Sequence, residues 1–278
     1  MKLRITTLSE NTACLGSFLG EWGLSFLVEV DGLTLLLDTG QSISTVHNAD
    51  ALDIDLSWVG RIILSHGHFD HTGGLLEVLR RIKKKIEVIA HPDVWADKYS
   101  GRQPQVYSYI GVPHHRHLLE SQGADFKLTT EPVRIADGIM TTGEVPMVTG
   151  FEAVETYLLV RDGDGFRQDE VLDDQALIIT TEAGLVVLLG CAHRGIINTV
   201  YHAQKLTGIK QIYAVLGGCH LMDASAERIR LTTEALKEMG VQRLGVSHCT
   251  GLRAACYMAR EFGDSFFFNN AGTIVELP

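Results

Sequence analysis

The sequence predicts an α/β fold with two stacked sheets and helices outside them. Three observations carry this expectation. A β-rich run opens each half of the chain, helical patterning follows each run, and the last hundred residues alternate strand with helix. The 278 residues are 45% hydrophobic and 21% charged, an ordinary globular balance with enough apolar material for a large core. Length alone would allow two domains. No Pro-, Ser- or Gln-rich linker and no solenoid repeat divides the chain, so residues 1–278 read as one domain.

Residues 24–30 and 33–38 are β-rich runs joined by Asp31-Gly32, a strong hairpin signal. Residues 61–65 (RIILS) form a short apolar strand candidate. Over 73–85, Leu75, Leu76, Leu79 and Ile82 recur at helical spacing, and 86–90 (IEVIA) returns to strand. The stretch 91–126 is polar, aromatic and proline-interrupted, and reads as an insertion or lid over one face. Strands are expected at 154–160, 175–181 and 185–189, with turns at Asp162-Gly163 and Ala183-Gly184. Then follow a helix over 195–206, a strand over 211–216, a helix over 224–239, a strand over 243–246 and a helix over 252–262.

Charge and cysteine usage narrow the function classes. The 24 basic and 34 acidic residues leave a formal charge of −10, whereas a nucleic-acid binder would show a basic excess or a basic face. Arg80, Arg81, Lys83, Lys84 and Lys85 form a basic cluster that reads as the solvated end of a helix. Five cysteines without a CxxC spacing make neither a disulfide framework nor a zinc ribbon, and fit a reducing, cytoplasmic setting. The opening MKLRITTLSE lacks the apolar core of a signal peptide, and the apolar run 184–192 is too short to cross a membrane.

Twelve histidines are unusual, and their placement is more so. His66, His68, Asp70 and His71 fall within six residues directly after the RIILS strand and before Thr72-Gly73-Gly74. Such a cluster is costly to bury unless it is paired or holds a metal. At a strand end the backbone can turn so that all four side chains converge. Imidazole with carboxylate suits zinc foremost, and also iron, manganese or nickel. His193, His220 and His248 each follow an apolar strand, the same placement as His66.

His66-x-His68-x-Asp70-His71 resembles the HxHxDH signature of the metallo-β-lactamase fold. Asp38-Thr39-Gly40 resembles that family's DTG, Gly73-Gly74-Leu75 its helix-opening glycines, and His248 its final metal histidine. The resemblance covers the chain outside 91–126 and implies a four-layer αββα sandwich with two mixed sheets. A narrower resemblance lies in Glu21-Trp22-Gly23-Leu24-Ser25, Asp173-Asp174-Gln175-Ala176-Leu177, Gly190-Cys191-Ala192-His193, Gly217-Gly218-Cys219-His220-Leu221 and His248-Cys249-Thr250-Gly251. These segments look like the branch named for dihydropterin-(ribofuranosyl)aminobenzene phosphate synthase.

The departures from the family pattern matter. Where most members carry a mid-chain Gly-His, the nearest match is Thr142-Gly143-Glu144. Where most carry Gly-Asp, Gly190 is followed by Cys191. The resemblance then implies one metal held by His66, His68 and His193, and a second by Asp70, His71 and His248. Cys191, His220 and Glu144 are each substitutes for the bridging aspartate. Cys219 and Cys249 read as packing residues, since strand neighbours point to opposite faces. Asp38 is either a surface turn or an acceptor that fixes a ligand imidazole. Arg194 and Asn198 sit at an expected helix start, where free N–H groups attract anions, so they are candidate substrate contacts; a plain exposed arginine is the competing reading. His114, His115 and His117, with Trp95, Tyr107 and Tyr109, belong to the insertion and read as exposed or as part of an aromatic lid.

Two divalent metals about 3.5–4 Å apart would share a hydroxide that attacks a carbonyl or phosphoryl centre. Asp70 would orient that hydroxide and His220 would serve the leaving group. The main expectation is therefore hydrolysis of a phosphate ester, phosphodiester, lactone or thioester. The synthase reaction of the narrower branch, diiron redox chemistry and a non-catalytic metal or ligand sensor are the alternatives. The expected partner is a small molecule, for which the net charge leaves an anion open, with no nucleic acid and no membrane. The apolar residues of the insertion leave room for a homo-oligomer.

Overall fold

Residues 25–37 fold as the hairpin their pattern predicts. Strands Ser25–Val30 and Leu33–Leu37 pair antiparallel, and Asp31 and Gly32 both take the positive φ that such a two-residue turn needs. A computed structural model describes residues 2–103 and 105–277. The hairpin lies inside a seven-stranded sheet ordered Ile274–Leu277, Leu3–Ser9, Ser25–Val30, Leu33–Leu37, Arg61–Ile63, Ile86–Ala90, Ala124–Leu128. A second seven-stranded sheet runs Phe266–Phe268, Arg243–Ser247, Ile212–Gly218, Gly184–Leu189, Ala176–Thr181, Ile139–Thr141, Arg134–Ala136.

Alternation along the strands explains the layers. Leu177, Ile179, Val186 and Leu188 point toward Phe26, Val28, Leu35 and Leu37 of the first sheet and form the central core. Ala176, Ile178, Leu185 and Val187 point the other way, onto the helices Ile196–Thr207, Ala226–Glu238 and Leu252–Phe262. Leu27, Leu36 and Ile62 likewise face the helices Ser44–Ala51 and Leu75–Ile82. The result is helix, sheet, sheet, helix, as the resemblance implies.

Both sheets mix parallel and antiparallel pairs. Leu33–Leu37, Arg61–Ile63 and Ile86–Ala90 run parallel, as do Gly184–Leu189, Ile212–Gly218 and Arg243–Ser247. His66, His193, His220 and His248 all follow the C-terminal ends of these parallel strands, the edge where α/β proteins gather ligands.

The segment 91–126 is more ordered than its irregular pattern predicts. Lys98–Gln103 and Val106–Tyr109 form a hairpin, which joins Leu158–Asp162 and Gly165–Gln168 in a third, four-stranded sheet. Arg116–Ser121 is a helix and Ala124–Leu128 completes the edge of the first sheet, so 116–126 belongs to the core layers. The strand expected over 154–160 starts only at Leu158. Elements that escaped the sequence reading include Leu3–Ser9, Ser44–Ala51, Arg134–Ala136, Ile139–Thr141, Gly165–Gln168, Phe266–Phe268 and Ile274–Leu277. Among the described residues, no helix is long and apolar enough to cross a membrane.

Candidate metal centre

His66, His68, Asp70 and His71 are placed by a strand end running into a short helix, Phe69–Thr72, with extended His68 at its N-cap. Gly67 is required there, because a Cβ would collide with the Val94 carbonyl. Asp173 accepts the Gly67 N–H at 2.7 Å, the Gln175 amide donates to the Leu64 carbonyl at 3.0 Å, and the Gln175 N–H donates to the Ser65 carbonyl at 3.0 Å. The Asp173-Asp174-Gln175 segment is thus a cradle for the histidine loop. Asp173 is itself tied to buried Lys98, whose Nζ lies 2.9 Å from Asp173 and 2.7 Å from Asp169.

Asp38 resolves its two readings in favour of the acceptor. It is fully buried and left-handed at φ 60°, and its Oδ2 accepts from His71 Nδ1 at 2.7 Å and from Ser65 Oγ at 2.6 Å. Ser65 has spent its one hydroxyl proton on Asp38, so at 2.9 Å it accepts from His66 Nδ1. One carboxylate therefore orients both imidazoles, with His66 Nε2 turned to His68 Nδ1 and His71 Nε2 to Cys191 Sγ, each at 3.1 Å. At the other end, His248 Nδ1 lies 2.9 Å from the side-chain Oδ1 of Asn11, and Glu10 accepts the His248 N–H at 2.6 Å. Neither Asn11 nor Glu10 was singled out from sequence, because the first strand carried no motif.

Two groups of three side chains converge, each with donor atoms within 4.8 Å: His66 with His68 and His193, and Asp70 with His71 and His248. Cys191 lies between them. It falls in further groups with His66 and His71, with His193 and His220, and with His248 and Cys249, and its Sγ is 3.1 Å from His71 Nε2. The expectation that Cys249 merely packs needs correction. His248 takes φ 52° in a tight turn, His248–Thr250, rather than strand geometry, so both His248 and Cys249 reach the cluster. Ala192 and His220, at φ 51° and 45°, turn the chain in the same way. Non-glycine residues in this region are strained, and such strain gathers at functional sites.

Electrostatics separate the histidines. Burial, reinforced by neighbouring positive groups, holds His66 and His193 well below the usual imidazole range. Burial, with Lys98 nearby, also brings His68 down to about 3. Burial would lower His71 too, but the Asp38 and Asp70 carboxylates outweigh it and raise it to about 9. Asp70 is held below the usual carboxylate range, since the facing His71 and His248 outweigh its burial.

The donor set fits divalent metal. His68 Nε2 and both ring nitrogens of His193 are buried without a hydrogen-bond partner, which is costly unless a cation takes a lone pair, and His248 Nε2 faces Asp70 Oδ2 at 3.1 Å. His66, His68 and His193 held neutral and Asp70 held ionised are in the protonation states that ligation needs, whereas His71 must release a proton when metal binds.

Other candidates do not join the site as expected. Arg194 donates to the Val145 and Glu170 carbonyls, and its N–H to Asp174. Asn198 is buried, accepting from the N–H groups of Val148 and Thr149. The helix start they were expected to offer an anion is filled by the chain's own Glu152, which accepts from the N–H groups of Ile197 and Asn198. Glu144 pairs with His91 at 3.0 Å and belongs to neither group. His114 contacts the Gly73 carbonyl and His117 is fully exposed, while Trp95 packs on Phe126 and Tyr107 stacks on Phe166.

His220 does reach the centre. Its ring centroid is 4.0 Å from that of His193, its Nδ1 is buried without a partner, and its Nε2 faces Glu155 Oε2 at 3.4 Å and the Tyr157 hydroxyl at 3.5 Å. An open cavity of about 310 Å³ lies over this floor, walled by Trp22, Phe69, Ile110, Tyr157, Leu158 and Met222, with Ser100 and Arg102 contributed by the hairpin. Trp22 also packs against His248, with centroids 4.8 Å apart.

The four-layer fold and the histidine-aspartate centre at its strand edge define a metallo-β-lactamase-type protein. The family model for the metallo-beta-lactamase superfamily matches residues 23–165, and the chain belongs to that superfamily. Within it, the chain is 36% identical, over 99% of its length and 96% of the relative's, to 7,8-dihydropterin-6-methyl-4-(beta-D-ribofuranosyl)-aminobenzene-5'-phosphate synthase of Methanocaldococcus jannaschii. An uncharacterized protein of the same organism is 32% identical over 98% of this chain and 99% of its own. The crystal structure of Tm1679, described as a metal-dependent hydrolase of the beta-lactamase superfamily, superposes with a TM-score of 0.85 at 30% identity over 99% of both chains.

Proposed function

We propose that the protein is a divalent-metal-dependent synthase that joins a dihydropterin to a (ribofuranosyl)aminobenzene 5'-phosphate with release of pyrophosphate. The observation that carries this reading is the full-length likeness to the relative of that name. The site is compatible with it in a specific way. Trp22, Phe69 and Tyr157 offer aromatic faces to flat heterocycles, above a floor of His68, Asp70, His193 and His220.

In that reaction the arylamine nitrogen bonds to the methyl carbon of the dihydropterin, the carbon–oxygen bond to pyrophosphate breaks, and the amine gives up a proton. Metal bound at the two histidine groups would supply Lewis acidity toward the pyrophosphate oxygens. The chain's own part is positioning and proton movement. The aromatic wall stacks the rings and excludes water, so the amine rather than water meets the carbon. His220, with Nδ1 unpartnered and Nε2 facing Glu155 and Tyr157, is the group we assign to take the amine proton.

The second reading is hydrolysis, favoured by the description of the structure that superposes over the whole chain. One experiment separates them. The metal-loaded protein is given the dihydropterin pyrophosphate with and without the arylamine ribose phosphate, and pyrophosphate release is followed. Release only with both substrates supports the synthase. Release without the amine, or turnover only on phosphodiesters or lactones, overturns it in favour of the hydrolase.

A further inference from the structure

We propose that Arg102 and the Tyr157 hydroxyl form a subsite for a phosphate monoester at the mouth of the cavity, and that Asp223 occupies the phosphate's place in the free protein. Among the described residues lining the cavity, Arg102 is the one lysine or arginine. Its neighbours on the wall are apolar or aromatic, apart from Ser100 and the floor of histidines and Asp70. The guanidinium is held in a fixed attitude. It lies 4.2 Å from the Tyr157 ring centroid, and Nη2 donates to the Tyr157 hydroxyl at 2.7 Å. That leaves the fork to meet an oxyanion, and Nη1 meets Asp223 at 2.6 Å.

Arg102 and Asp223 are each about half exposed. An ion pair in that setting contributes little, so a dianionic phosphate can displace the carboxylate at small cost. Asp223 follows Met222, which lines the cavity, and His220, which lies on its floor. The carboxylate that must move therefore belongs to the loop that carries the proton-moving histidine.

The identity of the phosphate's carrier rests on the synthase reading. A reaction between a pyrophosphate and a phosphorylated arylamine brings two anionic groups into one cavity. The reacting pyrophosphate belongs at the floor, with the metal ligands. The ribose phosphate takes no part in bond making and needs a separate cation, which Arg102 supplies.

The test measures ribose 5-phosphate and ribose binding to the metal-loaded protein by calorimetry, for wild type, Arg102→Met, Arg102→Lys and Asp223→Asn, with metal content checked for each. Arg102→Met should weaken ribose 5-phosphate binding roughly tenfold or more, as expected for a lost charge-assisted contact, and leave ribose unchanged. Arg102→Lys should recover part of the loss, and Asp223→Asn should tighten the phosphate. Wild-type affinity in Arg102→Met, no preference of wild type for the phosphorylated sugar, or phosphate binding that depends on metal but not on Arg102 would each overturn the subsite. Failure of pyrophosphate release with Arg102-dependent binding intact would sink the synthase reading and leave the subsite. Full synthase activity in Arg102→Met with unchanged KM for the arylamine would do the reverse.

Discussion

Lys98 is the residue whose replacement tests most directly how the fold holds the metal loop. It is buried between Asp169 and Asp173, and Asp173 also grips the Gly67 N–H between His66 and His68. Both carboxylates raise the Lys98 ammonium above its usual range in spite of burial. Methionine would keep the volume and leave two buried carboxylates without a counter-charge. Removing one partner of a buried pair costs about 3–5 kcal/mol, against about 0–1 kcal/mol for an exposed pair. With Lys98 1% exposed and Asp169 10% exposed, Asp169 regains some hydration and Asp173 does not. The lower end, about 3 kcal/mol, is therefore the expectation for Lys98→Met. Urea unfolding of the metal-free protein should show a lower midpoint with an unchanged slope. Asp173→Asn, whose amide oxygen still accepts from Gly67, should restore part of the loss in the double variant, with a coupling of about 2 kcal/mol. Metal affinity should fall roughly tenfold in Lys98→Met, as it does when groups supporting ligands are lost. A cost under about 1 kcal/mol with unchanged metal affinity would mean that the triad is hydrated in solution and does not tether the loop.

Three further outcomes follow from the same geometry. His193→Ala should lower the metal bound per chain, read by elemental mass spectrometry on protein purified without chelator; wild-type content would remove His193 from the ligand set. Asp38→Asn should destabilise the metal-free protein in a pH-dependent way. His71 is raised from 6.5 to about 9, so its pairing stabilises the fold fully below about pH 6.5 and that stability is lost as pH rises through 9. The deficit of Asp38→Asn should be about 2–3 kcal/mol at pH 6 and much smaller at pH 9.5, and a constant deficit would contradict the pairing. Glu152→Ala removes the acceptor for two N–H groups at the start of helix Ile196–Thr207 and should cost about 1–2 kcal/mol in thermal or urea unfolding; no loss would show that water caps the helix as well.

Much of the fold was legible because burial imposes periodicity. The runs 24–38, 175–189 and 211–262 alternate or recur as their layers require, and their boundaries fall within a few residues of the strands and helices observed. The misses have physical reasons. Ser44–Ala51 is short and buries Ser44, Thr45 and Asn48, so its inner face does not look apolar. Leu3–Ser9 buries polar Thr6, Thr7 and Ser9 and so hides its alternation. The hairpin at 98–109 is exposed over much of its length and leaves no hydrophobic pattern, so it read as irregular. At the site, residues adjacent to a strand end were legible and residues supplied by distant backbone were not. Asn11, Glu10 and Lys98 act through contacts that no local spacing encodes. Arg194 and Asn198 show the opposite error: a helix start looked free for an anion, but Glu152, distant in sequence, already filled it.

Cys191 shows why a motif search and a geometric search give different answers at this centre. Cys191 and His193 are two residues apart, so strand alternation would put them on one face, although the strand Gly184–Leu189 ends before them. Beyond Leu189 the chain turns through left-handed Ala192, and Cys191 and His193 both reach the histidines. Gly190 permits this, because a side chain there would strike Ser65, the link between Asp38 and His66. The thiol occupies the region between the two groups where a carboxylate would add charge. Asp70 is consequently the only carboxylate in the convergent groups among the described residues. A site with one carboxylate, imidazoles and a central sulfur is softer than a carboxylate-rich one. It also carries less negative charge at its floor, so an anionic leaving group meets less repulsion there. Under the proposed synthase reading, that balance would favour departure of pyrophosphate from the histidine floor.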